Sequence, residues 1–387
     1  MPRHSMRTGD TTTPLRLVIV GLTLLLTIAT GCSEPSAKES VRGLTWSRIP
    51  LPATVAASSL AVTAGGLLVG GRASSGGDHP VLFVVDESGT VRPVPLHPNS
   101  PYAKVADLVS LAAHGGEIVA LGAAHGGAHA NFRWTVWSGS TNGVDDYPQT
   151  FETFGGQSAG GLLDIVFTSD VPAIAGTWAA REGGLDAAVW RPRGHRWVRQ
   201  NSANTALANT PQLQVAPRAA SGGSAMIISG SVITFDNGVQ QRAAVWIQPN
   251  RSEPWTLLQL PEAGTHSEAL SSVCGESCWV SGYADGVVAF WGFDATEQPA
   301  KGTRDSALPR IEHDVEDAGP ITVTSADRPG LLVSHAGRSQ LLLSDSQGWH
   351  TFTGPTGPVI DATTVGDRLY AITRTAADVE LWSTNVR

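Results

Sequence analysis

The side chains of this 387-residue chain that could do chemistry are scattered, and they fall into three kinds. The first is histidine in Gly-rich stretches: His79 follows Asp78, and His125 and His129 flank Gly126-Gly127-Ala128. Imidazole and carboxylate groups gathered from adjacent loops could hold a divalent metal. Histidines in exposed Gly-rich loops are more often simply solvated. The second kind is acidic. Glu312-His313-Asp314-Val315-Glu316-Asp317, with Glu262, His266 and Glu268 further back, offers oxygens that suit Ca²⁺. The alternating ligand loop with its glycine is missing, which favours solvated loops. The third kind is a single serine. Gly156-Gln157-Ser158-Ala159-Gly160 has the spacing of a nucleophile elbow, which needs a helix after the serine. A strand-like run, GLLDIVFTSD, follows instead. No catalytic constellation is complete and no cofactor is implied, so catalysis is the less favoured expectation.

Aromatic residues come next. Trp137, Trp190, Trp246 and Trp382 each close an apolar run at the same place in a recurring pattern, which marks them as packing residues. Trp178 and Tyr283 fall outside that register and are candidates for stacking against a sugar or peptide. Polar residues of the nearby loops join them as candidate partner-binding positions: Arg181, Glu182, Asp186, Asp236, Arg242 and Asp285.

The elements that must position these residues repeat. An apolar run, a small-residue turn, a polar loop and a second apolar run occur seven times: Leu67 to Asp86, Ile118 to Trp137, Ala173 to Trp190, Met226 to Trp246, Cys278 to Asp294, Leu331 to Asp345 and Leu369 to Trp382. Runs rich in Val, Ile and Trp between Gly, Asn and Pro read as β-strands. A shorter strand candidate precedes each copy, and WTLLQLP after the fourth shows an outer strand. Four strands per unit at a period of roughly 50 residues resembles the blades of kelch-type propellers. The expected fold is all-β: a seven-bladed propeller over 44–387, with a six-bladed ring as the alternative. WSRIPLP near residue 46 has the wording of WTLLQLP, so Leu44 to Leu51 is expected to complete the seventh blade. Loops between second and third strands then share one face with the connections between blades, and loops on a rigid scaffold carry function.

Two features resemble the sialidase family within this propeller class. Asp86-Glu87-Ser88-Gly89 and Asp345-Ser346-Gln347-Gly348 resemble that family's Asp-box turns, with one extra residue between Asp and Gly. Arg48-Ile49-Pro50 resembles its early Arg-Ile-Pro, which implies an arginine clamping a substrate carboxylate. The repeat assigns Arg48 to an outer strand instead, and no tyrosine is followed by a motif for the family's Tyr–Glu nucleophile pair.

The N-terminus carries Arg3, Arg7 and Arg16, then an apolar run from Leu17 to Thr30 ending at Gly31-Cys32. This is a signal segment rather than part of the fold. Its end resembles the lipobox of bacterial lipoproteins, which implies cleavage after residue 31 and a diacylglycerol on Cys32. Ala29 stands where the family usually has Leu. Polar residues 32–43 read as a tether. Cys274 and Cys278 are expected to form a disulfide, as suits an exported chain. A net charge of −8 without basic clusters excludes a nucleic-acid surface. The expected protein is a lipid-anchored module on the extracytoplasmic face of the membrane. It binds a protein or glycan, the alternative being a sialidase-like or other glycan-cleaving hydrolase that uses carboxylates such as Asp186 or Asp285.

Overall fold

The computed structural model describes residues 43–126, 132–236, 238–275, 277–297, 299–313, 318–325, 328–376 and 378–386. Residues 1–42, which include the expected signal segment and Cys32, lie outside the described residues, as do His129 and Asp314 to Asp317.

Seven antiparallel sheets follow one another around a ring, so the chain is a seven-bladed β-propeller. Strand β1 (Ser47–Ile49) is the first among the described residues. Blade 1 is β2 (Val55–Thr63), β3 (Gly66–Ala73), β4 (His79–Val85) and β5 (Val91–Pro93). A short β6 (Leu96–His97) pairs parallel with the outer strand of blade 2, which is β7 (Asp107–His114), β8 (Glu117–His125), β9 (Phe132–Ser140) and β10 (Gly143–Asp146). Helix α1 (Phe151–Phe154) leads to blade 3: β11 (Ala159–Thr168), β12 (Val171–Ala179), β13 (Leu185–Arg193) and β14 (Arg196–Arg199). Blade 4 holds β15 (Leu213–Ser221), β16 (Met226–Thr234), β17 (Gln240–Gln248) and β18 (Thr256–Gln259). Blade 5 holds β19 (Ser267–Cys274), β20 (Cys278–Ala284), β21 (Val287–Phe293) and β22 (Thr303–Arg304). Blade 6 holds β23 (Ile321–Ser325), β24 (Arg328–His335), β25 (Arg338–Asp345) and β26 (Gly348–Thr356). Blade 7 has β27 (Val359–Val365), β28 (Arg368–Arg374) and β29 (Val379–Asn385) from the C-terminus, and β1 supplies its fourth strand.

That closure follows the expected register. Ser47, Arg48 and Ile49 pair with Ser383, Trp382 and Leu381. Ile49 is buried against Leu381, Tyr370 and Ile372, while Arg48 points outward. The cores lie between neighbouring blades rather than within a central ball: Ala187, Val189, Met226, Ile228 and Trp246, for example, fill the space between blades 3 and 4. Trp137, Trp190 and Trp246 are fully buried, and so is Trp291 in blade 5. The indole N–H of Trp190, Trp246 and Trp291 donates to the carbonyl oxygens of Thr153, Ala206 and Pro261. Each large apolar ring thus also ties down the chain entering or leaving its blade. Trp382 is only partly buried.

One irregularity recurs at the centre. In six of the innermost strands the pairing skips one residue: Ser58, Val109, Leu163, Arg218, Leu270 and Ile360. A bulge turns the strand and re-aims the next side chain. Polar groups just after the bulge then bind the following blade. Leu60 N–H donates to Asp361 Oδ2, Ile165 N–H to Ser110 Oγ, Ala220 N–H to Asp164 Oδ2 and Thr322 N–H to Ser271 Oγ. Glycine opposite the bulge permits the close approach: a Cβ on Gly71 or Gly230 would sit 2.2 Å from the carbonyl oxygen of Ala56 or Ala216.

The turns resembling Asp-boxes behave as the residue types require. Asp86 Oδ1 accepts from the N–H groups of Ser88 and Thr90, and Gly89 takes φ of 84°. Cys274 and Cys278 form the expected disulfide across the turn between β19 and β20. The loop it closes is short, so its chain-entropy contribution is about 2 kcal/mol. Replacing both cysteines by alanine is expected to lower stability by no more than that in a denaturant melt; a loss twice as large would mean the bond also restrains the neighbouring blade.

Candidate functional site

The face carrying the connections between blades, here the upper face, holds a hollow of about 550 Å³ at the seam of blades 7 and 1. Its walls come from the ends of strands far apart in sequence: Arg48 on β1, Arg72 on β3, Asp107 at the start of β7, Arg374 at the end of β28 and Glu380 on β29. Arg72 and Arg374 occupy equivalent register positions, three residues beyond the Val69 and Ala371 that pair with Leu60 and Ala362. The repeat therefore points both toward the same corner.

Three guanidinium groups thus surround one hollow, and their local pairings are weak. Arg48 Nη1 lies 3.2 Å from Glu380 Oε1 and Arg72 Nη1 lies 2.9 Å from Asp78 Oδ2, all four side chains at least partly exposed. Exposed pairs of this kind are worth under about 1 kcal/mol each and exchange readily for a ligand's anion. Among the described residues no ion pair involves Arg374. Asp378, Glu380 and Asp107 supply the opposite charge. Asp107 Oδ1 is buried without a hydrogen-bond partner among the described atoms. Burial pushes its carboxyl up, while Arg72 and Arg374 pull it down. Three arginines among three carboxyls, those of Asp107, Asp378 and Glu380, offer guanidinium donors to an anionic group and one partly desolvated acid. Guanidinium suits carboxylate because it presents paired N–H donors in a plane.

The same face carries an aromatic hollow of about 580 Å³ between blades 2 and 3, lined by Phe132, Arg133, Trp134, Phe151 and the glycines around Gln157. Phe132 and Phe151 are about half exposed, and the Arg133 guanidinium lies over the Phe151 ring at 5.0 Å. These rings escaped the sequence reading because Phe and Arg in a Gly-rich stretch have no periodicity to reveal them.

The sequence-predicted positions fare unevenly. Arg181, Glu182, Asp236 and Arg242 lie exposed on or beside the upper-face loops. Trp178 is half-buried instead, edge-on to Trp190 at 6.0 Å, with Arg199 stacked over its outer face at 4.9 Å. Asp186 is buried, and its Oδ1 accepts the Asn209 N–H at 2.7 Å; it anchors a loop and is not offered to a partner. Asp285, at φ of 48°, accepts the N–H groups of Thr265 and His266, and those bonds hold its carboxyl below the usual range. Such a carboxylate stays ionised, which makes Asp285 a poor general acid. Tyr283 is buried. Its hydroxyl donates to Glu268 Oε2 at 3.3 Å, and Arg218 Nε donates to Glu268 Oε1 at 2.6 Å. Burial, then the charge of Glu268, pushes the phenol up to about 12. This Tyr–Glu pair is invisible in sequence because its members face each other across β19 and β20. It lies in blade 5, whereas the three arginines line the seam of blades 7 and 1.

His79 Nδ1 is bonded to its neighbour Gly77 O, and His125 packs on Phe132 at 4.5 Å. Among the described residues no three potential metal ligands gather.

Comparisons with known proteins support the fold. No family model matches the chain, and no curated protein sequence does either. The propeller domain of the Trilobed protease of Pyrococcus furiosus is similar at a TM-score of 0.52 and 9% identity, over 86% of this chain and 96% of that one. A puromycin-hydrolysing peptidase of Mycobacterium tuberculosis is similar at 0.53 and 10% identity, over 89% of this chain and 55% of that one. A Hadza microbial sialidase follows at 0.47 and 11% identity, over 84% and 74%. The chain spans about half the length of the peptidases it matches. The likeness to the first two shows the fold alone, a β-propeller, and the seven blades are those of this chain's own sheets.

Proposed function

We propose that this propeller is an exported, lipid-anchored binding module whose upper face captures a carboxylate-bearing glycan or peptide in the seam hollow. The observation that carries the reading is the convergence of Arg48, Arg72 and Arg374 on one hollow, with only weak exposed pairings to give up. The aromatic hollow on the same face extends the surface on which such a chain could lie. Cys32 would carry the lipid and residues 32–43 the tether. Mass spectrometry of the N-terminal peptide checks this: a diacylated Cys32 is expected, and an uncleaved N-terminus would refute the anchor.

Binding is tested by titrating the full chain, in detergent, with uronate oligosaccharides and with peptides ending in free or amidated carboxyl groups. Arg72→Ala with Arg374→Ala is expected to weaken binding of the best ligand 10- to 1000-fold, the range for losing one or two charge-assisted hydrogen bonds. Unchanged affinity in the double variant would refute the seam as the site. A second reading, glycan hydrolysis, rests on the Tyr283–Glu268–Arg218 cluster of blade 5. Turnover of chromogenic glycosides that disappears in Tyr283→Phe would favour it over binding alone.

A further inference from the structure

Arg191 breaks the rule followed by its six counterparts. It lies on β13, one residue beyond Trp190, and the equivalent positions of the other blades hold Val84, Ser138, Ile247, Gly292, Leu343 and Ser383. Six blades place an uncharged residue there. Blade 3 places a guanidinium that is 4% exposed, on the same face of β13 as the buried Ala187 and Val189, turned toward blade 4.

The surroundings do not neutralise it. Nη2 donates to Gln248 Oε1 at 3.1 Å and reaches Met226 Sδ at 3.5 Å, while Nε and Nη1 find no acceptor among the described atoms. Among the described residues no carboxylate pairs with it. Glu253, two residues from Arg251, is hydrogen-bonded to Asn250 Nδ2 instead. Burial, followed by the charge of Arg251, lowers the guanidinium to about 10, so it remains cationic at neutral pH. An enclosed cation with unmatched donors is strongly unfavourable unless a counter-charge accompanies it.

We propose that Arg191 forms a small-anion site between blades 3 and 4, taking a chloride-sized inorganic ion against its unmatched N–H groups. The ion would be held by Arg191, with Arg251 adding attraction from the exposed loop and Gln248 fixing the guanidinium plane. A monatomic ion suits the place better than a larger organic acid, because the guanidinium is 4% exposed and its Nη2 already reaches the buried Met226. The site is independent of the seam hollow, which lies on the opposite side of the ring at blades 7 and 1.

The test uses the full chain in sodium chloride, sodium bromide and sodium gluconate at matched ionic strength. Chloride and bromide are expected to raise the melting temperature by several degrees over gluconate, as binding to the folded state alone requires. Arg191→Met should lose that rise. Should the methionine variant fail to fold, Arg191→Gln keeps a polar head without charge and is expected to lose it equally. Crystals soaked in bromide should show an anomalous peak against the guanidinium. Equal halide responses in wild type and variant, or a map with only water at Arg191, would overturn the proposal.

Discussion

Ile49→Ala is expected to destabilise the propeller by about 2–5 kcal/mol, the range for deleting a buried branched side chain. Ile49 is 6% exposed and packs between β1 and the strands of blades 7 and 1, so the cavity would open at the one junction held without a peptide link. Its neighbour is the control. Arg48→Ala removes an exposed pair with Glu380 and should cost less than about 1 kcal/mol. Denaturant melts of the two variants separate the roles of adjacent residues: Ile49 closes the ring, and Arg48 faces the hollow. If the alanine at 49 proved as mild as the one at 48, the ring would not depend on its closing strand.

The second large effect is a dependence on pH. Asp361 lies at the channel end of β27, where its Oδ2 accepts the Leu60 N–H of blade 1 and its Oδ1 the N–H of Ala362. Burial, helped by the charge of Asp164, raises its carboxyl to about 7. In the unfolded chain the same group titrates near 3.8. Between those values the folded state holds the extra proton, so Asp361 lends stability that is complete below about pH 4 and is lost as the pH rises through 7. The loss is on the order of a few kcal/mol, reduced by whatever water the channel admits. Asp361→Asn keeps one amide oxygen for the seam and removes the titration. Its melting temperature should therefore fall less than that of the wild type between pH 5 and pH 8. Parallel curves would show that the carboxyl is ionised throughout. Asp164 is also raised by burial, and Asp164→Asn should lower the Asp361 value, readable by carboxyl NMR.

The strands were legible because the repeat is strong. Seven hairpins, their innermost strands and the closing strand from Leu44 to Leu51 all stand where apolar runs and turn residues put them, and Trp255-Thr-Leu-Leu beside Trp46-Ser-Arg-Ile identified the closure. Sites were harder to read. Asp186 looks like a loop residue, but its place at the head of β13 turns it inward onto Asn209. Arg72 and Arg374 look like ordinary surface arginines, 302 positions apart by their numbers, until the register shows them to be one position in two neighbouring blades. A bulge adds only one residue, so apolar patterning cannot reveal the ring of polar groups it aims at the channel.

The seam also sets an order of events in time. Thr384 Oγ1 donates to Thr45 O across 339 residues, and closing a loop of that length is entropically expensive. Blades built from local hairpins are expected to form first and the clasp between blades 7 and 1 last. Since Arg48, Arg72, Arg374 and Glu380 meet only across that clasp, the hollow they line exists only in finished rings. Ligand capture would then double as a report of completed folding, and an occupied seam would slow the reopening of the ring.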